Sequence, residues 1–348
     1  MSDGPTLANA SLTEGLVTLE RHIANAQKAH PEASGVFSQL LYDFVLGGKY
    51  ISHALRRGGL SDTLGLAGDI NVQGEAQKKL DVISDETLIE IHRKSGRVGV
   101  VASEENEHVI AVEGEGELPY AVVFDPLDGS SNTEVNVSLG TIFGIYRRQN
   151  PSAPGSDADV LRPGRELLAA GYINYGPHTN LVYSVGAGVH GFTLDPHCGE
   201  FLLTHPDLRF PDTFKYFSAN QGGESTWQPE VKRYVEWLRG LDPDAPRKAL
   251  SSRYVGTLVV DFHRNLIDGG VFLYPAVSKD GAPPKGKLRL VYELAPLAFI
   301  AEQAGGAASN GAMPILDIVP DTLHQREPVF IGNRDLVAKA EEYLAGGS

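Results

Sequence analysis

The stretch Phe124-Asp-Pro-Leu-Asp-Gly-Ser-Ser131 gathers into eight residues the groups that bind hard cations and phosphates. Tyr120 to Phe124 is a short apolar run of β type that breaks at Asp125-Pro126, so a strand is predicted to end there with a carboxylate at its tip. Asp128 follows on a tight turn, and Gly129-Ser130-Ser131 then offers backbone N–H groups and hydroxyls to one point. Divalent cations such as Mg²⁺ take carboxylate and carbonyl oxygens and keep places for water and a substrate phosphate. A Gly-Ser-Ser turn makes a nest for phosphate oxygens. One stretch can therefore hold a metal and a phosphoryl group together. A lone Asp-x-x-Asp is ordinarily an acidic surface turn with an Asx-type hydrogen bond; the whole octapeptide closing an apolar strand favours the chemical reading.

Further carboxylates fall into three groups. Glu104 and Glu105 follow the strand Val98–Ser103, and adjacent strand side chains point to opposite faces, so both reach one site only if the strand stops there. Glu75 and Asp81 belong to a glycine-punctuated connection over 61–81, of the length and charge of a lid or clamp, the alternative being a plain surface loop. Glu293 closes Lys287–Glu293, which alternates polar and apolar residues like a strand. Phosphate-ester hydrolysis by two or more Mg²⁺ needs acidic ligands from several strands, bridging metals about 3.5–4 Å apart. No side-chain nucleophile is then required; there is no G-x-S-x-G elbow, and Cys198 is far from the acidic motifs in sequence. Lys287 and Arg289 share one strand face. They are either a solvated edge or, with Arg253, a grip on a second phosphate. Tyr254 and Tyr274 are hydroxyl donors to phosphate or sugar, or ordinary packing tyrosines.

The elements that must position these groups are mixed. Helices are expected over 12–29 and from 39 to 55, where Gly47-Gly48 would mark a close helix contact. Another is expected from Glu86 to Lys94, capped by Ser84 or Asp85. Strands dominate from Ile142 to Thr204. Gly186-Ala-Gly-Val-His-Gly191 matches G-x-G-x-x-G only formally, because another strand, not a helix, follows it. Pro and Asp punctuate 205–213, which sets a boundary between a domain over 1–207 and one over 208–348. The second carries strands at 215–219, 271–274 and 329–332 and helices at 230–239, 294–304 and 335–344. The 348 residues thus suit a layered α/β body. A net charge of −14 argues against nucleic acid and anionic membrane as partners. With one cysteine, no N-terminal signal-like segment and no apolar run near membrane length, a soluble cytoplasmic protein is expected.

Val123-Phe-Asp-Pro-Leu-Asp-Gly-Ser-Ser-Asn132 resembles the metal-binding signature of the class I fructose-1,6-bisphosphatases, within the lithium-sensitive sugar- and inositol-phosphatase superfamily. Matching stretches follow in the family's order: Ser103-Glu-Glu, Gly140-Thr-Ile-Phe-Gly-Ile-Tyr-Arg147, Arg253-Tyr-Val-Gly256, Gly270-Val-Phe-Leu-Tyr-Pro275 and Gly286-Lys-Leu-Arg-Leu-Val-Tyr-Glu293. The resemblance implies a layered α-β-α-β-α fold with mixed sheets, assembled as a homotetramer. It implies Mg²⁺ or Mn²⁺ held by Glu104, Glu105, Asp125, Asp128, Glu293 and the Leu127 carbonyl. Glu105 and Asp81 would activate the attacking water, with Glu75 at an aspartate position of the family's catalytic loop. Asp128, Gly129, Ser130 and Ser131 would hold the 1-phosphate with Arg289 nearby. Asn220, Tyr254, Tyr274 and Lys287 would hold the 6-phosphate, with Arg253 supplied by a neighbouring subunit.

Three departures qualify this. A family 6-phosphate tyrosine is Gly223 here, and Leu258 replaces a methionine that often contacts sugar. The family's animal AMP site reads Ser34-Gly35-Val36, Pro119-Tyr120 and Arg147; loss of a lysine to Pro119 removes a charge-assisted phosphate contact, so strong AMP inhibition is not expected. Hydrolysis of fructose 1,6-bisphosphate leads, in gluconeogenesis or carbon fixation. The alternatives are the same chemistry on sedoheptulose 1,7-bisphosphate, an inositol-monophosphatase type, and a catalytically dead metabolite sensor.

Overall fold

The computed structural model describes residues 16–27, 35–61, 63–70, 76–278 and 284–346. Along the chain come α1 (Leu19–Gln27), α2 (Val36–Arg56), a ribbon of β1 (Leu66–Ile70) and β2 (Ala76–Lys78), and α3 (Lys79–Lys94). Then follow β3 (Val98–Ser103), β4 (Ile110–Ala111), β5 (Tyr120–Asp128), β6 (Leu139–Arg147), β7 (Leu167–Tyr175), β8 (Thr179–Ser184), β9 (His190–Asp195) and β10 (Glu200–His205). The remainder is β11 (Tyr216–Ala219), α4 (Pro229–Leu238), β12 (Ser251–Ser252), α5 (Leu258–Asp268), β13 (Gly270–Tyr274) and β14 (Leu288–Arg289), then α6 (Ala295–Gln303), β15 (Ala307–Ser309), β16 (Arg326–Glu327), β17 (Val329–Gly332) and α7 (Arg334–Leu344).

Eight strands form one mixed sheet in the order β10-β9-β8-β7-β6-β5-β3-β4. Only β3 and β5 in it run parallel, so two consecutive strand ends carrying acidic residues emerge at the same edge. Five form a second mixed sheet, β12-β11-β13-β17-β15. Strand alternation sorts the core into layers. Tyr120, Val122 and Phe124 of β5 pack with Leu40, Phe44 and Leu88 of α2 and α3 on one face. Ala121 and Val123 point the other way, to Phe262 of α5 and Leu297 and Ile300 of α6. Phe272 and Ile331 of the second sheet close that same layer from beyond, while Val271, Leu273 and Phe330 face Tyr234 of α4 and Leu336 of α7. The result is the α-β-α-β-α stack the resemblance implied. Helix α6 sits at its centre, which is why Ala-Pro-Leu-Ala-Phe-Ile-Ala is apolar all round. Truncating Leu297, fully buried there, would cost about 2–5 kcal/mol.

The glycine pair in α2 marks close packing as expected. A Cβ on Gly47 would stand 2.5 Å from Leu88 of α3, and one on Gly48 2.3 Å from Ile173 of β7. The formal G-x-G-x-x-G is the turn of the β8–β9 hairpin.

Four expectations need correction. Residues 61–81 are not a bare connection, since β1 and β2 pair within them. Helix α3 begins at Lys79, not Glu86; Ser84 and Asp85 lie inside it, buried, and the N-terminal cap is Lys78 with Asp81. Strand β5 does not end at Asp125 but runs to Asp128, with a register shift that accommodates Pro126. Lys287–Glu293 is a strand only at Leu288–Arg289; Leu290–Leu294 winds into a π-helical turn that feeds α6. Alternation over so few residues did not outweigh the pull of the buried helix that follows. Among the described residues, no helix is long and apolar enough to cross a membrane.

Candidate active site

The ends of β3 and β5, the N-terminus of α3, the tip of β13 and the β14 segment enclose a pocket of about 190 Å³. Its acidic side is built from Asp81, Glu104, Glu105, Asp125, Asp128 and Glu293, with Leu127 beside them. Carboxylate oxygens of Asp125, Asp128 and Glu293 all lie within 4.8 Å of one another, and all three residues are buried. Each is held by backbone. Asp125 Oδ1 accepts the Leu127 N–H at 3.0 Å, and Glu293, on the π-helical turn, accepts the N–H of Arg289 at the end of β14. Asp128 Oδ2 accepts the Val259 N–H at 2.7 Å, so the first turn of α5 points its free amides at this carboxylate.

Strand β3 stops where the paired glutamates require it to. The Glu104 N–H still reaches Phe124 O at 3.1 Å, and the Asn106 N–H folds back to Ser103 O at 3.2 Å. The turn brings both Glu104 and Glu105 to the pocket. Arg289, almost fully buried, sets its Nε 3.3 Å from Glu104 Oε1. At the neighbouring turn Gly129 adopts a left-handed φ of 82°. A Cβ there would lie 2.4 Å from Thr257 Oγ1, so glycine lets the Ser130-Ser131 amides come against the α5 loop.

Electrostatics follow from burial. Asp125 is raised well above the usual carboxylate range, first by desolvation and then by Glu104, Asp128 and Glu293. Glu293 is raised likewise, by desolvation and then Glu104 and Asp128. Asp128 is pushed up to about 7 by burial, with the α5 amides pulling it back. Asp81 is pushed up to about 6 by burial, against hydrogen bonds from the Lys78 amide and Ser130. Buried carboxylates this close cannot all ionise unaided. An all-oxygen set of this kind fits a hard divalent cation, which removes the repulsion.

The other side of the pocket is basic and hydroxylic. Ser130, Ser131, Tyr254, Tyr274, Lys287 and Arg289 line it. Lys287 Nζ stands 5.8 Å from the Tyr274 ring centroid. The Tyr254 loop is braced by buried Asp261, which accepts the Val255 N–H at 2.9 Å and the Gly256 N–H at 3.1 Å. Two of the residues read from sequence do not line the pocket. Asn220 is exposed on a separate turn, and Arg253 lies in another groove, donating to Ser252 O at 2.8 Å. Glu75 lies outside the described residues. Sequence reading missed Arg326, which lines the pocket from β16 opposite Arg289. Its strand, β16, is only two residues long, too short to show a period in the sequence. It also missed Asp85 as a structural acceptor, because the helix was started too late for Asp81 and Asp85 to stand one turn apart.

A five-layered α/β body with a carboxylate cluster opposite a basic rim is the architecture of the sugar phosphatases. Residues 17–206 match the family described as "Fructose-1-6-bisphosphatase, N-terminal domain", and residues 210–345 the one described as "Fructose-1-6-bisphosphatase, C-terminal domain". The chain is 47% identical to "Fructose-1,6-bisphosphatase class 1 1" of Salinibacter ruber, over 99% of this chain and 96% of that protein. It is 47% identical to the "Fructose-1,6-bisphosphatase, cytosolic" of Arabidopsis thaliana, over 97% of each. The crystal structure of Leishmania major fructose-1,6-bisphosphatase in holo form superposes with a TM-score of 0.87 at 39% identity, covering 94% of this chain and 98% of that one. The chain belongs to the class 1 fructose-1,6-bisphosphatase family.

Proposed function

We propose that this pocket hydrolyses the 1-phosphate of fructose 1,6-bisphosphate, giving fructose 6-phosphate and orthophosphate, with Mg²⁺ (or Mn²⁺) held by Glu104, Glu105, Asp125, Asp128, Glu293 and the Leu127 carbonyl. The observation that carries it is the convergence of Asp125, Asp128 and Glu293 within 4.8 Å, beside Lys287 and Arg289 in one pocket. The chemistry a divalent cation supplies there when bound is neutralisation of charge on the phosphoryl group and on the departing alkoxide.

The chain's own residues do the rest. Gly129, Ser130 and Ser131 hold the phosphate through amides and hydroxyls, aided by Arg289. Glu105 and Asp81 orient the attacking water and accept its proton as its oxygen bonds to phosphorus. The bond from phosphorus to the sugar oxygen breaks, and that oxygen takes up a proton. An Asp81 carboxyl at about 6 is ionised at neutral pH yet basic enough to take a proton. Glu75, outside the described residues, is assigned to the same step only by its place in the family's catalytic loop. Lys287, Tyr254 and Tyr274 bind the remote phosphate; Tyr254, pushed up to about 12 chiefly by burial, stays a hydroxyl donor. Asn220 and Arg253 join that end from beyond the pocket, Arg253 across a contact between copies in a tetramer. A division into 1–207 and 208–348 puts metal carboxylates in both parts, since Glu293 belongs to the second.

The test is phosphate release from fructose 1,6-bisphosphate with Mg²⁺, with EDTA, and against sedoheptulose 1,7-bisphosphate and an inositol monophosphate. Release that depends on metal and is fastest on the fructose ester supports the proposal. Release unaffected by EDTA would remove the metal reading, and a preference for the seven-carbon ester would move the substrate.

A further inference from the structure

The glutamates that face the metal pocket occupy the two central positions of the turn Ser103-Glu104-Glu105-Asn106, closed by the Asn106 N–H to Ser103 O at 3.2 Å. Both ends of this turn are gripped by one carboxylate. Asp85 Oδ1 accepts the Ser103 hydroxyl, and Asp85 Oδ2 accepts the Asn106 amide at 2.9 Å. Because Ser103 gives its proton to Asp85, its oxygen is turned as an acceptor toward the Glu105 N–H, 3.3 Å away. A third contact comes from the C-terminal half. His324 Nε2 lies 3.1 Å from the Asn106 carbonyl, and since a carbonyl only accepts, that nitrogen carries the proton. Asp85 is 8% exposed and lines no part of the pocket, so it meets neither substrate nor cation.

We infer that Asp85 is a positioning residue that fixes the Glu104–Glu105 turn for divalent-cation binding and ties it to the helix carrying Asp81. Asp81 and Asp85 stand one turn apart on α3. The carboxylate proposed to take the proton and the carboxylate that sets the glutamates are thus parts of one rigid element. Hydrogen-bonded supports of this kind fix ligand geometry, and their loss typically costs 10–100-fold in metal affinity. The inference rests on the metal reading given above, but assigns Asp85 a duty separate from it.

The test measures Mn²⁺ affinity by calorimetry on the full chain without substrate, alongside KM and kcat. Asp85→Asn keeps the size and one acceptor oxygen, but must leave one of the two donors without its carboxylate. It is expected to weaken Mn²⁺ binding about 10–100-fold, to raise the Mn²⁺ concentration giving half-maximal rate in parallel, and to leave KM for the bisphosphate at saturating metal within about 2-fold. Asn106→Ala removes only one arm of the grip and is expected to give a smaller loss in the same direction. Ser84→Ala, a buried neighbour on α3 whose hydroxyl makes no hydrogen bond, controls for general disturbance and should bind Mn²⁺ as the wild type does. Should Asp85→Asn fail to fold, Asn106→Ala against Ser84→Ala decides alone. Wild-type affinity in both Asp85→Asn and Asn106→Ala, or an equal loss in Ser84→Ala, overturns the inference. Wild-type protein that binds no Mn²⁺ overturns the metal reading instead.

Discussion

The two ends of the pocket are built on opposite plans. At the metal end Asp125, Asp128 and Glu293 are buried, each locked by a backbone amide of a regular element. At the sugar end Tyr254 is 39% exposed, Lys287 is exposed, and Arg253 and Asn220 stand outside. The first end is set before any ligand arrives, at the cost of packing like charges together. The second is more exposed, and two of the residues proposed for it lie outside the pocket. On the proposed mechanism, preorganisation is concentrated where charge would develop, and adaptability where the remote phosphate would bind.

The sharpest way to break that contrast is Glu105→Gln. Loss of a group that both orients water and takes its proton should lower kcat by about 10²–10⁴-fold with bisphosphate still bound; a steady-state kcat near wild type would remove Glu105 from the proton transfer. Lys287→Ala comes next. Losing a charge-assisted contact remote from the reacting phosphate should raise KM for the bisphosphate about 10–100-fold, with little change for a monophosphate. Equal changes on both substrates would show that Lys287 does not hold the far phosphate.

Arg253→Ala should have a smaller effect, a rise in KM of about 10-fold or less. It should be seen only at protein concentrations where copies associate, as followed by sedimentation alongside kinetics. A KM unchanged in the associated protein would leave the sugar end complete within one chain.

The smallest expected effect is on stability. The folded-state values of Asp81 and Asp128, about 6 and about 7, lie above the usual 3.8. A carboxyl raised in this way makes the folded state bind more protons than the unfolded one between those values. These groups therefore favour folding as pH falls from 8 toward 5, and their penalty returns as pH rises through 6 to 7. Buried His92, lowered to about 3 by desolvation, works in the opposite direction, so the metal increment is the cleaner readout. Added Mg²⁺ should raise Tm by more at pH 8 than at pH 5.5, where protons already relieve the repulsion. Asp125→Asn in metal-free protein at pH 8 should gain a few degrees while losing metal response. A Tm increment independent of pH would mean the carboxylates are not in conflict.

Much of this was legible before folding was considered. Strand β17 was placed at its observed bounds, because Val-Phe-Ile is a β-branched and aromatic run closed by glycine, with no helical competitor. The octapeptide declared its chemistry for a similar reason, with both acids and the glycine turn in one local stretch. Where neighbours in space decided, reading failed. The early start of α3 depends on Lys78 and Asp81 capping each other and on Leu80 being buried, neither of which shows as a periodicity. The π-helical turn at Leu290–Leu294 exists because Glu293 must face the pocket while α6 runs back into the middle layer. Arg326 reaches the site only through pairing with β14.

By itself the sequence determined the chemistry on offer: which residues are acids, which turn is compact enough for phosphate, and which family's order of motifs they follow. Only the tertiary structure decided that carboxylates from β5 and from the π-helical turn, remote along the chain, meet within 4.8 Å, and that Asp85 grips the turn between them. The reason is that side-chain type and local spacing are written in the chain, whereas distance between remote segments is set by which faces of sheet and helix are buried against each other.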